Sequence, residues 1–280
     1  MALDITPVTN HRTREKGMII YPVYSRRSAG LSIGINLFPY KKNCQFDCPY
    51  CEVFPFLSNA EFSLEQMEED LRNAIASALE QNIPIKDICF SGNGEPTLSP
   101  SFADAFKLAE KIRKEACSSA KLVLITNGAG LLQAQTFSLL KDACAADAAQ
   151  ADASLDIWLK LDAGTPEWYQ KINRCSLPYD KLIEKIKEFT SCSKVTIQTM
   201  LCVINGEAPP EKEARAWEVL VCELAEKGKI RKVQLYGKAR AAPEDPLASM
   251  LPDSCLEKRA ASLCNSLKEK FLTNPVEIFI

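Results

Sequence analysis

Histidine is almost absent: in 280 residues there is only His11. With so little imidazole, and with no second C-x2-C pair beside the one at Cys48 and Cys51, a closed four-ligand zinc site lacks its complement of ligands. No apolar run reaches membrane-spanning length, and no secretory leader pattern precedes or interrupts the chain. Internal repeats and low-complexity linkers are missing too. The net charge of −2 argues against a wholesale nucleic-acid coat. What remains is a length that suits one large α/β domain or two small ones, of which a single domain is the expectation, with 46% apolar residues to fill the core. Twelve cysteines make a disulfide scaffold only in a small secreted protein, so without a leader the expected home is the reducing cytoplasm and no membrane partner is expected.

Charge is unevenly spread. Residues 1–43 carry Arg12, Arg14, Lys16, Arg26, Arg27, Lys41 and Lys42 against Asp4 and Glu15, a net +5, which leaves −7 for the rest. Arg26 and Arg27 read either as a solvated turn or as a clamp for an anionic substrate, because guanidinium forks suit carboxylate and phosphate.

Period-2 and period-3.6 patterns alternate along the chain. Strands are expected over 18–24, 31–38, 83–90, 121–126, 155–161, 194–203, 230–236 and 275–280. Helices are expected over 64–81, 101–116, 131–149, 179–190, 210–227 and 254–271, with a short one opening at Thr165-Pro166-Glu167, a cap followed by a first-position proline. Strand alternating with helix implies parallel βαβ units, whose ligands gather at the carboxyl ends of the strands.

Three thiols stand at C-x3-C-x2-C spacing in Cys44-Gln45-Phe46-Asp47-Cys48-Pro49-Tyr50-Cys51. A four-iron cluster usually takes four thiolates, so three on one loop leave one iron open for chemistry. Zinc ligands or merely buried cysteines are the competing readings. Farther along, Ser91-Gly92-Asn93-Gly94-Glu95-Pro96-Thr97 is either a tight βα turn or a place where backbone meets a ligand and Glu95 receives its ammonium group. Asn127-Gly128 is a turn pair, or Asn127 bonds a ribose or carboxylate. Lys160 and Asp162 share one face of a strand and need partners there, whether as an ion pair or as groups facing cofactor and substrate. Gln198 and Thr199 near the end of the next strand, and Tyr236, Lys238 and Arg240 at the end of the last, complete a polar row of strand tips.

The cysteine spacing, with Tyr50 before the third thiol, resembles the signature loop of the radical S-adenosylmethionine (radical SAM) superfamily, and Gly92-Asn93-Gly94-Glu95-Pro96-Thr97 resembles its SAM-amino element. Together with Lys160-Leu161-Asp162-Ala163-Gly164, these words also resemble, distantly, the iron–sulfur oxidoreductase branch related to wybutosine-synthesis enzymes of transfer RNA. The resemblance implies a partial (β/α)6 barrel over 31–240, with an N-terminal extension over 1–30 and a C-terminal helix and strand over 241–280. It implies a [4Fe-4S] cluster on Cys44, Cys48 and Cys51, with S-adenosylmethionine at the fourth iron. Tyr50, Gly92, Asn93, Gly94, Glu95, Asn127, Lys160 and Gln198 are the expected cofactor residues, and Lys160, Asp162, Tyr236 and Arg240 the expected catalytic ones. A one-electron donor such as flavodoxin or ferredoxin is the expected partner, and the substrate is small or nucleotide-like, with an RNA base, a glycyl-radical enzyme and a non-enzymatic cluster- or zinc-binding role as alternatives.

Overall fold

The computed structural model of the protein describes residues 17–150, 153–238, 242, 247–268 and 275–279. The chain divides into two compact units, one of residues 1–44, 55–126 and 146–156, the other of 45–54, 127–145 and 157–280.

In the first unit, β1 (Ile20–Ser25) and β2 (Gly30–Ile35) form an antiparallel hairpin, and β3 (Ile85–Phe90) and β4 (Lys121–Thr126) follow β2 in parallel. β2 stops at Ile35, short of the apolar run's end at Phe38. The physical reason is Asn36, whose Oδ1 accepts from the Phe38 N–H at 3.1 Å and turns the chain out of the strand. α1 (Leu64–Glu80) starts where Ser63 Oγ accepts from the Gln66 N–H, and it buries Met67, Leu71, Ala74, Ile75 and Ala78 on one face. α2 (Phe102–Ala116) brings Phe102 and Phe106 onto Phe90 with ring centroids 5.7–5.9 Å apart, within the range of favourable aromatic pairs. α3 (Ala134–Ala148) reaches into this unit at its end, where Asp147 Oδ1 accepts from Ser154 and Leu155 N–H at 2.7 and 3.0 Å.

The second unit contains most of β5 (Leu155–Lys160), then α4 (Pro166–Ile172), α5 (Tyr179–Cys192), β6 (Val195–Ile204), α6 (Glu211–Lys227), β7 (Ile230–Gly237), β8 (Ala248–Met250), α7 (Asp253–Leu267) and β9 (Val276–Phe279). β5, β6, β7 and β9 run parallel in that order, so the first unit carries three of the six expected parallel strands, β2 to β4, and the second the other three, while β1 and β9 match the expected β extensions. β8, which periodicity does not announce, pairs antiparallel with the far end of β6 from Cys202 to Ile204. Three residues are too few for a period-2 signal. Among the described residues no helix is long and apolar enough to cross a membrane, and no disulfide joins any of the twelve cysteines.

The turn after β5 is held by α6. Glu213 Oε1 accepts the Gly164 N–H and its Oε2 the Thr165 hydroxyl, each at 2.5 Å, while Trp217 Nε1 donates to the Leu161 carbonyl at 3.0 Å. The helix comes so close that a Cβ on Gly164 would lie 2.0 Å from the Trp217 backbone nitrogen. Gly164→Ala is therefore expected to force α6 outward and to cost at least the ~1–3 kcal/mol typical of overpacking, read as a lowered denaturant midpoint at unchanged slope.

Candidate active site

In the first unit the carboxyl end of β3 opens into Ser91–Leu98, and the segment carrying Cys44 is bonded to it. Asn43 forms a parallel bridge with Gly94: its N–H donates to the Asn93 carbonyl at 3.0 Å, and the Glu95 N–H donates to the Asn43 carbonyl at 2.9 Å. Two glycines make this possible. Gly92 takes φ 116°, and a Cβ on Gly94 would stand 1.8 Å from the Asn43 carbonyl oxygen. Asn36 fixes the turn from below, since its Oδ1 also accepts the Asn93 N–H at 3.1 Å and its Nδ2 donates to the Met18 carbonyl at 2.9 Å. Glu95, only 2% exposed, caps the short 3-10 turn of Pro96–Leu98: its Oε1 accepts from the Thr97 N–H at 3.2 Å and from the hydroxyls of Thr97 and Thr126 at 2.6 and 2.7 Å.

The second unit holds the rest of the cysteine loop. The Cys51 N–H donates to the Cys48 carbonyl at 3.0 Å, and the Asp47 N–H to the Asn173 carbonyl at 2.9 Å. Phe46 meets Tyr169 edge to face at 5.7 Å, and Arg174 Nε donates to the Asp47 carbonyl at 2.6 Å. Asp162, 5% exposed, sits at the centre of the polar groups. Its Oδ2 accepts from the Tyr50 hydroxyl at 2.5 Å and from Asn173 Nδ2 at 3.0 Å, and its Oδ1 from the Met200 N–H at 2.9 Å, with Lys160 Nζ at 3.4 Å. Asn173 Nδ2 also lies 3.4 Å from Cys48 Sγ. Lys160 donates to the Tyr236 hydroxyl and lies 5.1 and 4.9 Å from the ring centroids of Tyr50 and Tyr236. Burial works against its ammonium, but Asp162 and Tyr236 outweigh that cost and its pKa rises. Burial pushes the Cys48 thiol up to about 12, and the Asp162 charge adds to this while the Asn173 bond opposes it. Burial, then Asp162, also pushes the Tyr50 phenol well up.

The expected site residues thus fall into two sets. Cys44, Gly92, Asn93, Gly94 and Glu95 come together in the first unit, and Tyr50, Lys160, Asp162 and Tyr236 with Cys48 in the second. Lys160 stands within ion-pair range of Asp162. Asn127 makes a turn bond, its Oδ1 accepting the Ala129 N–H at 2.9 Å ahead of Gly128 at φ 81°. Gln198 lies within β6, paired with Lys160 at the end of β5; its Nε2 donates to Gln234 Oε1 at 2.6 Å, and Gln234 Nε2 to Glu277 at 3.1 Å. Lys238 is buried and contributes positive charge near Cys202, and Arg240 lies outside the described residues. Arg26 and Arg27 occupy the β1–β2 turn, beside the amino end of β2. Leu31 at the start of β2 pairs with Ile85 at the start of β3, so the turn and Ser91 are separated by the length of a six-residue strand, about 20 Å at ~3.3 Å per residue. The clamp reading of these two arginines is corrected on that ground. The buried Asp87 has its carboxyl pushed up by burial and drawn back by bonds from Ser28 and Ser32 and by the charges of Lys121 and, least, Arg27. The basic residues at 12–16 lie outside the described residues.

Sequence reasoning missed Asn36, Thr126 and Asn173. Asn36 had a signal, as an amide inside an otherwise apolar run. Asn173 had none, because its partner Cys48 is remote in the chain and its own neighbours are those of an ordinary helix end. The donor set fits an iron–sulfur group by chemistry: three thiols on one loop. Between two of them the Gln45 Oε1 is buried without a hydrogen-bond partner among the described residues, an acceptor available to a ligand N–H. No three Cys, His, Asp or Glu among the described residues are by themselves gathered as a metal cage.

No protein-family model matches the chain. A UPF0026 protein of Helicobacter pylori is 31% identical over 183 residues, 62% of this chain and 51% of the relative; the chain spans about half the length of that curated relative. Among solved structures, a radical SAM methyltransferase from Sphaerobacter thermophilus superposes with TM-score 0.60 at 13% identity, over 92% of this chain and 68% of the other. Streptococcus suis SuiB bound to S-adenosylmethionine does so with TM-score 0.57 at 15% identity, over 85% of this chain and 45% of the other. At that identity the likeness is one of fold, and the chain has the fold of radical SAM enzymes.

Gly94→Ala is expected to break the Asn43 bridge, since backbone cannot yield as a side-chain tip can. The two lost ladder bonds, worth ~1 kcal/mol each, should appear as faster hydrogen exchange in peptides covering residues 40–45 and 91–97, with the peptides of α5 and β6 unchanged.

Proposed function

From the radical SAM fold of the chain we propose that the protein is an enzyme whose Cys44, Cys48 and Cys51 hold a [4Fe-4S] cluster and whose reaction uses S-adenosylmethionine. When bound, these groups supply a reductive cleavage of the sulfonium, with the electron from a flavodoxin- or ferredoxin-like donor, that yields methionine and a 5′-deoxyadenosyl radical able to take hydrogen from substrate. The observation that carries this reading is the bridge of Asn43 on Gly94, which joins the first cysteine of the loop to the Gly-Asn-Gly-Glu turn in one hydrogen-bonded structure.

The chain's own part is to bind, orient and keep water out. Glu95, oriented by Thr97 and Thr126, accepts from the ammonium of S-adenosylmethionine, and the backbone of Gly92–Gly94 lies against the ligand. Asn127, Gln198 and Tyr50 are assigned to the same cofactor. Lys160 and Tyr236, bonded to one another, are assigned to a small or nucleotide-like substrate. Reaction and substrate belong to this proposal, as does a cytoplasmic home.

Anaerobic reconstitution followed by dithionite and S-adenosylmethionine tests it. Cys44→Ala, Cys48→Ala and Cys51→Ala should each abolish the brown chromophore or the release of 5′-deoxyadenosine, whereas Cys89→Ala in β3 and Cys144→Ala in α3 should leave both. A cluster-loaded wild-type chain that releases no 5′-deoxyadenosine would be a binding protein. Equal loss of iron in the two controls would sink the single-loop assignment.

Glu95→Gln keeps one acceptor oxygen and replaces the other by a donor. With a hydrogen bond to a charged group worth about 1.5–3 kcal/mol, affinity for S-adenosylmethionine should fall roughly ten- to hundredfold at little change in thermal midpoint. An unchanged titration removes Glu95 from the cofactor site.

A further inference from the structure

Every group around Asp162 is a donor. The Tyr50 hydroxyl, the Asn173 amide and the Met200 N–H point hydrogens at its two oxygens, and the Lys160 ammonium stands at 3.4 Å. Such a set suits a side chain whose two oxygens both accept, as those of a carboxylate do. Two of these donors belong to, or hold, the cysteine loop. Tyr50 lies between Cys48 and Cys51, and Asn173 ties the loop at two more points, its carbonyl taking the Asp47 N–H at 2.9 Å and its Nδ2 reaching Cys48 Sγ at 3.4 Å. The next residue, Arg174, adopts left-handed backbone at φ 43° and gives its Nε to the Asp47 carbonyl and its outer nitrogen to Asp47 Oδ2 at 3.0 Å. The end of α4 is thus shaped around the loop, and Asp162 anchors both sides of that contact.

We propose that Asp162 is a positioning residue for the cysteine loop: through Tyr50 and Asn173 its carboxylate restrains the Cys48–Cys51 turn and so presents two of the three thiols to iron. It reaches iron only through those side chains and takes no part in the chemistry, which replaces the catalytic role the strand face suggested for it. The proposal rests on the cluster reading above for its link to iron, but the restraint on the turn stands without metal and is tested without it.

In the full metal-free chain, hydrogen exchange of peptides covering residues 45–54 should be roughly ten- to hundredfold faster in Tyr50→Phe and in Asn173→Ala, the change expected when one hydrogen bond to a charged group is lost. Peptides of α5 and β6 should exchange as before, a pattern that general destabilisation does not produce. Asp162→Asn should be worse than either, since an amide sets a hydrogen against a donor whichever way it is turned. Adding Tyr50→Phe to it should cost less than the two changes apart, because the second removes one of the opposed donors. Iron bound per chain after reconstitution should fall in the same order. If Asp162→Asn does not fold, the two milder variants decide. Unchanged exchange in both overturns the restraint, and a loosened turn that still takes up full iron overturns the positioning role. Iron missing from the wild-type chain strikes the cluster reading instead, and the exchange result still decides whether Asp162 restrains the turn.

Discussion

A buried carboxylate surrounded by donors organises the second unit. Asp162 is costly where it stands, because an ionised group taken out of water loses several kcal/mol of solvation unless partners replace it. The replacement comes from four places in the chain: the cysteine loop, the end of α4, the main chain of β6 and the side chain of Lys160. Each of those segments is thereby held to the end of β5. Lys160 meets the same condition from the other side, since its ammonium is tolerable in that setting only with Asp162 and Tyr236 beside it.

The first unit solves a different problem, how two irregular segments can be kept in register where no strand continues. Its means are backbone hydrogen bonds made possible by missing side chains. Gly94 lets Asn43 approach to bonding distance, and Gly92 admits a turn that Asn36 then locks from its other face. Glu95 is drawn inward by two threonine hydroxyls, one on its own turn and one at the end of β4, so the carboxylate proposed to meet the cofactor is fixed before any ligand arrives.

Several readings that local pattern left open were decided by placement. Arg26 and Arg27 carry the charge that would suit an anion, but the direction of β2 puts their turn at the amino end of parallel strands whose carboxyl ends lead to the Gly-Asn-Gly-Glu turn. Gln198 stands within β6, level with Lys160 at the end of β5, and its amide donates there to Gln234.

What the sequence determined by itself is what depends on neighbours in the chain: the order of strands and helices, Thr165 as a cap, Asn127-Gly128 as a turn, and the three thiols on one loop beside an aromatic residue. Periodicity and capping act over a few residues, so their signals are printed in consecutive letters. The tertiary structure alone decided that Asn173 serves Cys48, that Asn36 holds Asn93, that Glu213 secures Gly164, and that Asp162 takes four donors. Those pairings are set by which donor finds which acceptor once strands and helices have packed. An asparagine or aspartate carries the same hydrogen-bonding capacity wherever it stands, and only the fold assigns it a partner.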